Sequence, residues 1–399
     1  MDTVERIRAI GKEIEPAIIE TRRRFHQYPE RSTLEYETSA AIASALDQLG
    51  IPYRCVCETG VVASIKGTAE GPEADARAGR CVALRADIDA LPVTEQTGAE
   101  YASKYEGVMH ACGHDCHISM LLGAAKILNE MRDTFSGEVR LLFQPAEECS
   151  IGAKRMIAAG ALDGGDTIYG AHIWSELPAG QISCEPGQRM GHTDWFRIDI
   201  QGVSAHGSMP HKGVDAVVVG AELVNVLQIL VSRDVSPFQP IVVTVGEFHG
   251  GEARNVMAGS AYLTGTVRTW SQKIRDQMPD RMTRIVERAA FALGAKAKLT
   301  YEAGNDGLAN DPECAARARR SVVDILGEEG VASYVGTMSG EDFSEYMHLI
   351  PGVFVFIGCR NEECGAVHPQ HSCYFEVDES VLAKGAMVAA RYAMNYLTE

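Results

Sequence analysis

EVRLLFQPAEECSIGAKRMIAAGALDGGDTIYGAHI, residues 138–173, contains two kinds of segment in alternation. Apolar runs at residues 138–143 and 167–173 predict strands, and helical spacing at residues 153–159 predicts a helix between them. A strand, a crossover helix and a second strand favour parallel pairing. This stretch therefore predicts an α/β layer built on a largely parallel, mixed sheet flanked by helices.

The same alternation continues on both sides of this stretch. The Gly/Ala/Glu-rich stretch at residues 67–79 is expected to be a surface loop. The other predicted elements are helices at residues 3–28, 37–49, 118–128, 312–326 and 380–397, and strands at residues 60–65, 81–86 and 352–357.

A different order interrupts this layer. Residues 195–302 predict strand, helix, strand, strand, helix and strand, which is the ferredoxin-like α+β arrangement of a compact domain. Two domains also suit a chain of 399 residues with 46% hydrophobic content. We therefore predict a larger domain in two parts, residues 1–186 and 304–399, with residues 187–303 inserted between them.

Composition argues against several classes of partner. The net charge of −17 repels nucleic acid. The first 16 residues lack the apolar segment of a secretory signal, and the apolar stretch at residues 216–231 is shorter than the roughly 20 residues of a membrane span. Eleven cysteines, an odd number, favour free thiols. We expect a cytoplasmic protein that binds neither nucleic acid nor membrane.

The densest polar cluster is MHACGHDCH, residues 109–117, at the start of a predicted helix. Its three His, two Cys and one Asp are donors that divalent transition metals prefer. The alternative is that these side chains cap or pack against the end of the helix. A second signal is FQPAEE, residues 143–148, where a strand ends in Glu147 and Glu148.

Two neighbouring carboxylates near a metal can divide their work, one binding the metal and the other transferring a proton. A solvated surface pair is the alternative, but ligands bind at the carboxyl ends of strands in open α/β sheets. His172, at the expected end of another strand, and His371, in a loop, are further candidates, although either could be structural. Five donors suit two metals with room for a bridging water: Cys112, His114, Glu148, His172 and His371.

Other catalytic motifs are missing from the sequence, which has no G-x-S-x-G, no G-x-x-x-x-G-K-[ST] and no G-x-G-x-x-G. A Cys112 nucleophile with His114 as its base remains an alternative to metal binding. The number of other histidines in the sequence favours metal.

Taken together, these segments resemble the aminoacylase and carboxypeptidase family of co-catalytic metallopeptidases, in its amidohydrolase branch. That branch includes auxin-conjugate hydrolases, hippurate hydrolases and N-acetyl-diaminopimelate deacetylases. The segments that carry the resemblance are RRFHQYPE (23–30), LRADIDALP (84–92), MHACGHDCH (109–117), LFQPAEE (142–148), GVSAHGSMPH (202–211), Asn255-Val256, GTVRT (265–269), EDF (341–343) and HSCYFEVDE (371–379).

The resemblance implies a role for each matching residue. Glu147 is expected to be the general acid/base, and Asp87 to orient a ligand histidine or organise nearby loops. The inserted domain is expected to be a lid that pairs two protomers, with His206 reaching the partner's site. The implied metal ligands are Cys112, which would bridge the two metals, His114 and His172 on one metal, and Glu148 and His371 on the other.

The expected activity is hydrolysis of N-acyl amino acids with two divalent ions, drawn from Zn, Mn, Co and Ni. A water held between the metals would attack the scissile carbonyl after giving a proton to Glu147. His206 could stabilise the oxyanion, and Asn255, Arg268 and the Ser339–Gly340 backbone could recognise a substrate carboxylate. The alternatives are a dipeptidase or carboxypeptidase and a non-catalytic metal-binding dimer.

Overall fold

A computed structural model describes residues 2–399, which divide into two compact units. The first comprises residues 2–189, Ala309–Val335 and Asp342–Glu399, and the second comprises Met190–Leu308 and Gly336–Glu341. The predicted domain boundaries lie a few residues before these. The short segment Gly336–Glu341 belongs with the second unit, although the sequence prediction left it in the larger domain.

The helices and strands of the described residues are numbered in chain order. The helices are α1 (Thr3–Gln27), α2 (Tyr36–Gln48), α3 (Pro72–Arg77), α4 (His114–Glu130), α5 (Gly152–Ala158), α6 (Ala216–Ile229), α7 (Gln272–Ala292), α8 (Pro312–Leu326), α9 (Ser344–Met347) and α10 (Ser380–Thr398). The strands are β1 (Tyr53–Val56), β2 (Gly60–Lys66), β3 (Cys81–Asp87), β4 (Glu138–Gln144), β5 (Thr167–Pro178), β6 (Ile182–Ser183), β7 (Gly187–Met190), β8 (His192–Gln201), β9 (Ile241–Gly250), β10 (Ser260–Thr269), β11 (Lys296–Ala303), β12 (Leu308–Asn310) and β13 (Gly352–Arg360).

The first unit is built on a seven-stranded mixed sheet in the order β1-β2-β4-β3-β5-β13-β6. Its four central strands, β4, β3, β5 and β13, are parallel, and the pairings outside them are antiparallel. Every residue of β3 is buried, as is expected of a strand covered on both faces. Helices α4 and α10 pack against β3. The predicted mixed α/β fold is confirmed. The parallel strands form the middle of the sheet, and the antiparallel strands lie at its edges.

The second unit has the order β8, α6, β9, β10, α7, β11, and its antiparallel sheet has the order β11-β8-β10-β9. In β8, buried and exposed residues alternate from Asp194 to Gln201, which gives the sheet one core face and one polar face. Helices α6 and α7 form one core with the inner face. The predicted ferredoxin-like arrangement is present.

Two predictions from the sequence need correction. The stretch at residues 67–79 is not wholly a loop, because it contains α3 with Pro72 at its start. The apolar helix that begins at Ala216 continues past α6 through a π-helical turn to Asp234. By length and composition these 19 residues could cross a membrane, although α6 packs Leu223 and Leu227 into the core of the second unit.

Candidate metal centre

The candidate donors of the first unit meet where β3 and β4 end. Asp87 and Gln144 are paired as the last residues of these two strands. The pairing of Arg85 with Gly170 places His172 level with Asp87. His172 was predicted to end its strand, but β5 continues to Pro178. The ligand position is nevertheless at the carboxyl edge of the sheet, because the neighbouring strand β3 stops there.

The run at residues 109–117 distributes its side chains in several directions. Gly113 adopts a positive φ of 89° before α4 begins, and this turn lies between Cys112 and His114. Asp115 faces away from the donors and pairs with Arg22 at 2.7 Å. Cys116 is part of the hydrophobic core. Only some members of the run therefore belong to the candidate centre.

Two donor groups share Cys112. In one, ligand atoms of Cys112, His114 and His172 lie within 4.8 Å of one another, and in the other those of Cys112, Glu148 and His371 do so. The Cys112 Sγ lies 3.4 Å from His172 Nε2, and Glu148 Oε1 lies 3.7 Å from His371 Nε2 and 3.9 Å from His114 Nε2. The structure thus brings all five predicted ligands together.

The hydrogen bonds of His172 leave one nitrogen facing the centre. Its Nδ1 lies 2.6 Å from the carbonyl oxygen of Ile173, which can only accept, so Nδ1 carries the proton. The Nε2 lone pair therefore points toward Cys112. Burial, and to a smaller extent the neighbouring His117, holds the pKa of His172 well below its usual value. A neutral imidazole with a free lone pair is the form that binds metals.

These donors fit a pair of metal ions. Nε2 of His114 and Oε1 of Glu148 are buried and have no hydrogen-bond partner, a state that normally costs about 1–3 kcal/mol per atom. Metal bonds of about 2.0–2.3 Å keep neighbouring tetrahedral ligand atoms about 3.3–3.8 Å apart. The two separations within one donor group, 3.4 Å for Cys112 and His172 and 3.7 Å for Glu148 and His371, fall in this range. Bound cations would satisfy both buried atoms.

The electrostatics also favour cations. Burial would lower the pKa of His114, but Asp87 and then Asp89 outweigh it and raise that pKa to about 10. Burial raises the pKa of Glu148 to about 7. Burial, with Glu148 and Glu147 acting in the same direction, raises the pKa of the Cys112 thiol well above its usual value. The alternative of a metal-free Cys112 nucleophile is disfavoured, because a nucleophilic cysteine needs a depressed pKa.

Glu147 lies beside these donors in the turn after β4. Its side chain is almost buried, and a carboxylate oxygen of Glu147 lies within 4.8 Å of ligand atoms of His114 and Glu148. The preceding Ala146 has a φ of 55°, and His371 has a φ of 67°. Such left-handed conformations are uncommon for residues other than glycine and cluster at functional sites.

Asp87 contacts a different histidine from the predicted ligands. Its Oδ1 accepts a hydrogen bond from Nδ1 of His117 at 2.5 Å, while Nε2 of His117 accepts one from the backbone N–H of Ile173 at 2.9 Å. The Asp87 Oδ2 accepts a hydrogen bond from Arg85 at 2.6 Å and lies 3.8 Å from His114 Nε2. The sequence interpretation did not single out His117 or Asp89, which lie against the donors His172 and His114, or Arg85, which holds Asp87.

The remaining candidates belong to the second unit and occupy opposite ends of its sheet. At one end, His206 pairs with Val256 next to Asn255, whose carbonyl accepts a hydrogen bond from Gly207 at 2.8 Å. At the other end, Arg268 pairs with Thr193. Thr193 also lies against Gly340, and the Ser339 carbonyl accepts a hydrogen bond from Gly191 at 3.1 Å.

Comparison with known proteins identifies the family to which the chain belongs. A model of the peptidase family M20/M25/M40 matches residues 83–395. Thermostable carboxypeptidase 1 of Saccharolobus solfataricus is 38% identical over 99% of this chain and 99% of its own length. N-acetyl-L-cysteine deacetylase of Bacillus subtilis is 39% identical over 94% of this chain and 86% of its own length.

Among solved structures, the chain is similar to the YXEP protein of Bacillus subtilis, a dinuclear metal-binding peptidase from the M20 family. The TM-score is 0.83 and the identity 33%, with 97% of this chain and 99% of that chain covered. The resemblance noted in the sequence is thereby confirmed, as are the expectations of a hydrolase and of two bound divalent ions. The chain belongs to the peptidase family M20/M25/M40 and is a metal-dependent amidohydrolase.

Proposed function

We propose that this amidohydrolase cleaves the amide bond of N-acyl amino acids. The observation that carries the proposal is the place of Cys112 in two donor groups, one with His114 and His172 and one with Glu148 and His371. A thiolate shared by two groups suits a dinuclear centre. Glu147 adjoins Glu148 in the same turn but belongs to neither group.

When bound, the two cations polarise the scissile carbonyl and lower the pKa of a water molecule toward neutrality. In the proposed reaction, a carboxylate oxygen of Glu147 accepts the proton from the water that attacks the carbonyl carbon. Glu147 then donates this proton to the nitrogen of the leaving amine. Ala146 adopts a left-handed conformation between the end of β4 and Glu147, so the chain turns immediately before the two carboxylates. This turn supports the proposed role of Glu147.

His206 is the proposed donor to the oxyanion. Its Nδ1 accepts a hydrogen bond from the backbone N–H of Ser208 at 3.1 Å, so the neutral ring carries its proton on Nε2. An exposed ring with an N–H group on its outer nitrogen suits the negative charge that develops on the carbonyl oxygen. Asn255 was expected to bind the substrate carboxylate with Arg268, but it adjoins His206 at the other end of the sheet. We therefore propose that Asn255 helps His206 to orient the scissile carbonyl oxygen.

We propose that His206 and Asn255 act in the site of a partner protomer. Strand β8 separates them from Arg268 and Gly340, and its ten residues span about 30 Å. A small N-acyl amino acid cannot reach from one end to the other. Arg268 and the Ser339–Gly340 backbone are the proposed contacts of the substrate carboxylate, and His206 and Asn255 of the partner are proposed to complete the site.

The surface of the second unit supports a homodimer. Strand β9 is an edge strand, and Val242 and Phe248 on it are exposed. The adjoining helix α6 exposes Val218 and Ile229, whereas the outer face of α7 is rich in charged residues. Apolar side chains beside an unpaired strand edge suit pairing with a second copy. The proposed interface is therefore α6 with β9.

The substrate class rests on what the two relatives share. A carboxypeptidase and an N-acetyl-L-cysteine deacetylase both cleave an amide next to a free carboxylate. A carboxypeptidase activity is the second candidate, because the identity to the carboxypeptidase, 38%, is nearly as high as the 39% to the deacetylase. The proposed location is the cytoplasm. All eleven cysteines are free, and free thiols are typical of a reducing compartment.

The test is a substrate panel with the protein reconstituted separately with Zn, Mn, Co and Ni. The panel compares N-acyl amino acids, matched N-acyl amines without the carboxylate, and dipeptides and longer peptides. We expect the highest kcat/KM for N-acyl amino acids, and loss of turnover after chelation. Preference for peptides would favour the carboxypeptidase, preference for the amines would contradict carboxylate recognition, and a stable dimer without turnover would indicate a metal-binding protein alone.

A further inference from the structure

Three successive peptide N–H groups at the Glu147–Glu148 turn point at two buried carboxylates. The N–H of Ala146 donates to Glu35 Oε1 at 2.9 Å. The N–H of Glu147 donates to Asp89 Oδ1 at 3.2 Å, and the N–H of Glu148 donates to Asp89 Oδ2 at 3.1 Å. Glu35 is 0% and Asp89 1% exposed. Neither residue is among the predicted site residues.

We propose that Glu35 and Asp89 are positioning residues that fix the orientation of Glu147 and Glu148 through these three N–H groups. The inference rests on the proposed function, in which one carboxylate moves protons and its neighbour binds metal. Fixing the peptide planes of residues 146–148 sets the directions in which both side chains leave the backbone. Small errors in such directions cost activity, because reacting groups need near-contact geometry.

The turn needs this external support. Ala146 has a φ of 55°, which costs a residue with a β-carbon of order 1 kcal/mol or more. Successive N–H groups that point the same way form a concave site with positive partial charge, which favours anions. The two carboxylates supply that negative charge from within the protein.

Asp89 has donors on both of its oxygens. Its Oδ1 accepts from the Glu147 N–H and lies 3.3 Å from Nδ1 of His114. Its Oδ2 accepts from the Glu148 N–H and from Ser32 Oγ at 2.6 Å. In an Asp89→Asn variant, the amide NH2 would face one of the two peptide N–H groups in either orientation. Asparagine therefore cannot replace this carboxylate.

Glu35 has a different arrangement. Its Oε1 accepts from the N–H groups of Ala146 and Thr33, both at 2.9 Å, and its Oε2 accepts from the Thr59 hydroxyl at 2.8 Å. A glutamine could keep its oxygen at the first position and donate its NH2 to the hydroxyl oxygen of Thr59. The geometry therefore predicts that amide replacement is tolerated at Glu35 and not at Asp89.

The experiment compares Asp89→Asn, Glu35→Gln, Glu35→Ala and the control Ser32→Ala, which removes a bond to Asp89 but leaves the three N–H groups paired. We expect Asp89→Asn to lower kcat by roughly 10–100-fold, with a smaller change in KM, and to weaken zinc binding in a chelator competition. Glu35→Ala should also lower kcat, whereas Glu35→Gln and Ser32→Ala should stay close to wild type.

Three results would overturn the inference. One is a wild-type kcat and zinc affinity in Asp89→Asn. Another is equal loss in Glu35→Gln and Glu35→Ala. The third is a lowered melting temperature in Asp89→Asn and Glu35→Ala with unchanged kcat per zinc-loaded site, which is the result of a purely structural role. Including Glu147→Gln separates the two ideas, because full turnover in that variant would contradict the proposed function itself.

Discussion

Glu147 and Glu148 are adjacent in one turn, yet their surroundings differ. Glu148 shares a donor group with Cys112 and His371, whereas Glu147 belongs to neither of the two groups that share Cys112. We therefore predict that Glu147→Gln keeps its metals and turns over roughly 100-fold or more slowly, because only proton transfer is lost. Substitution of any proposed ligand should instead lower metal content, as measured by elemental analysis: Cys112, His114, Glu148, His172 or His371.

The matched control is Cys149→Ser, since Cys149 is an exposed thiol directly after Glu148. It should keep both metals and full turnover. Full metal occupancy in all five ligand variants would reject the assignment of the centre.

Protonation of the donors makes metal uptake depend on pH. In the metal-free protein the pKa of His114 is raised to about 10, that of Cys112 is raised well above its usual value, and that of Glu148 is raised to about 7. Near pH 7.5, His114 and Cys112 are therefore protonated and must lose their protons to bind metal. We predict release of about two protons per centre, and an apparent affinity that rises with pH.

Calorimetry in buffers of different ionisation enthalpy measures this release. The Cys149→Ser control should leave it unchanged. Uptake of two zinc ions without proton release between pH 7 and 8 would contradict the protonation states on which the prediction depends.

The donors could be predicted from sequence because their residue types are unusual and because most of them lie at the predicted ends of strands or at the start of a predicted helix. His172 was found for this reason even though its strand continues beyond it. Glu35 and Asp89 could not be found in the same way. Glu35 accepts its hydrogen bond from Ala146, which is 111 residues away in the sequence. The donor is a backbone N–H, which almost every residue has, so the residue type at position 146 does not reveal the contact.

At the scale of elements, a buried ion pair joins α1 to the start of α4. Arg22 Nε lies 2.7 Å from Asp115 Oδ2, and both side chains are 0% exposed. Burial would lower the pKa of Arg22, but Asp115 and the other acidic neighbours, among them Glu376, together outweigh it and raise that pKa well above its usual value. We predict that Asp115→Asn lowers the free energy of unfolding by about 3–5 kcal/mol, because the Arg22 charge stays buried after its main partner is gone.

Urea denaturation of the metal-free protein measures this loss. A matched control is Asp133→Asn, which breaks the exposed pair of Arg6 and Asp133 between α1 and the turn after α4. The midpoint of that variant should stay at the wild-type value, because exposed pairs contribute little. Equal stability of Asp115→Asn and wild type would show that the buried pair contributes nothing.

Element boundaries were predictable where local signals coincide. Helix α8 has its predicted limits, since Asp311 caps its first turn, Pro312 opens it and Gly327 follows its end. Strands β1, β6, β7 and β12 were missed because they are two to four residues long. Their strand conformation depends on pairing with distant segments, as in the pairing of β6 with β13.

At the scale of the whole molecule, the proposed interface can be tested by charge. Val218 on α6 is 58% exposed, and Phe291 at the end of α7 is 83% exposed. We predict that Val218→Glu converts the proposed dimer to monomers, because a carboxylate buried at an interface loses its hydration. Phe291→Glu should stay dimeric. Sedimentation at micromolar concentration distinguishes the two outcomes, and a dimer that survives Val218→Glu would place the interface elsewhere.

A dimer whose sites are completed by the partner has a property that no monomer has. Homodimers of His206→Ala and of Glu147→Gln should each be nearly inactive, because every site lacks one of the two groups. In a mixed dimer, the His206→Ala chain keeps its own Glu147 and would receive His206 from the Glu147→Gln chain, so one of the two sites is complete. With random pairing half of the dimers are mixed, and co-expression should restore roughly a quarter of wild-type activity. If His206 acts in its own chain, both sites of the mixed dimer stay broken and no activity returns. If His206 has no catalytic role, the His206→Ala homodimer is already fully active, so measurement of both homodimers and the mixture separates the three arrangements.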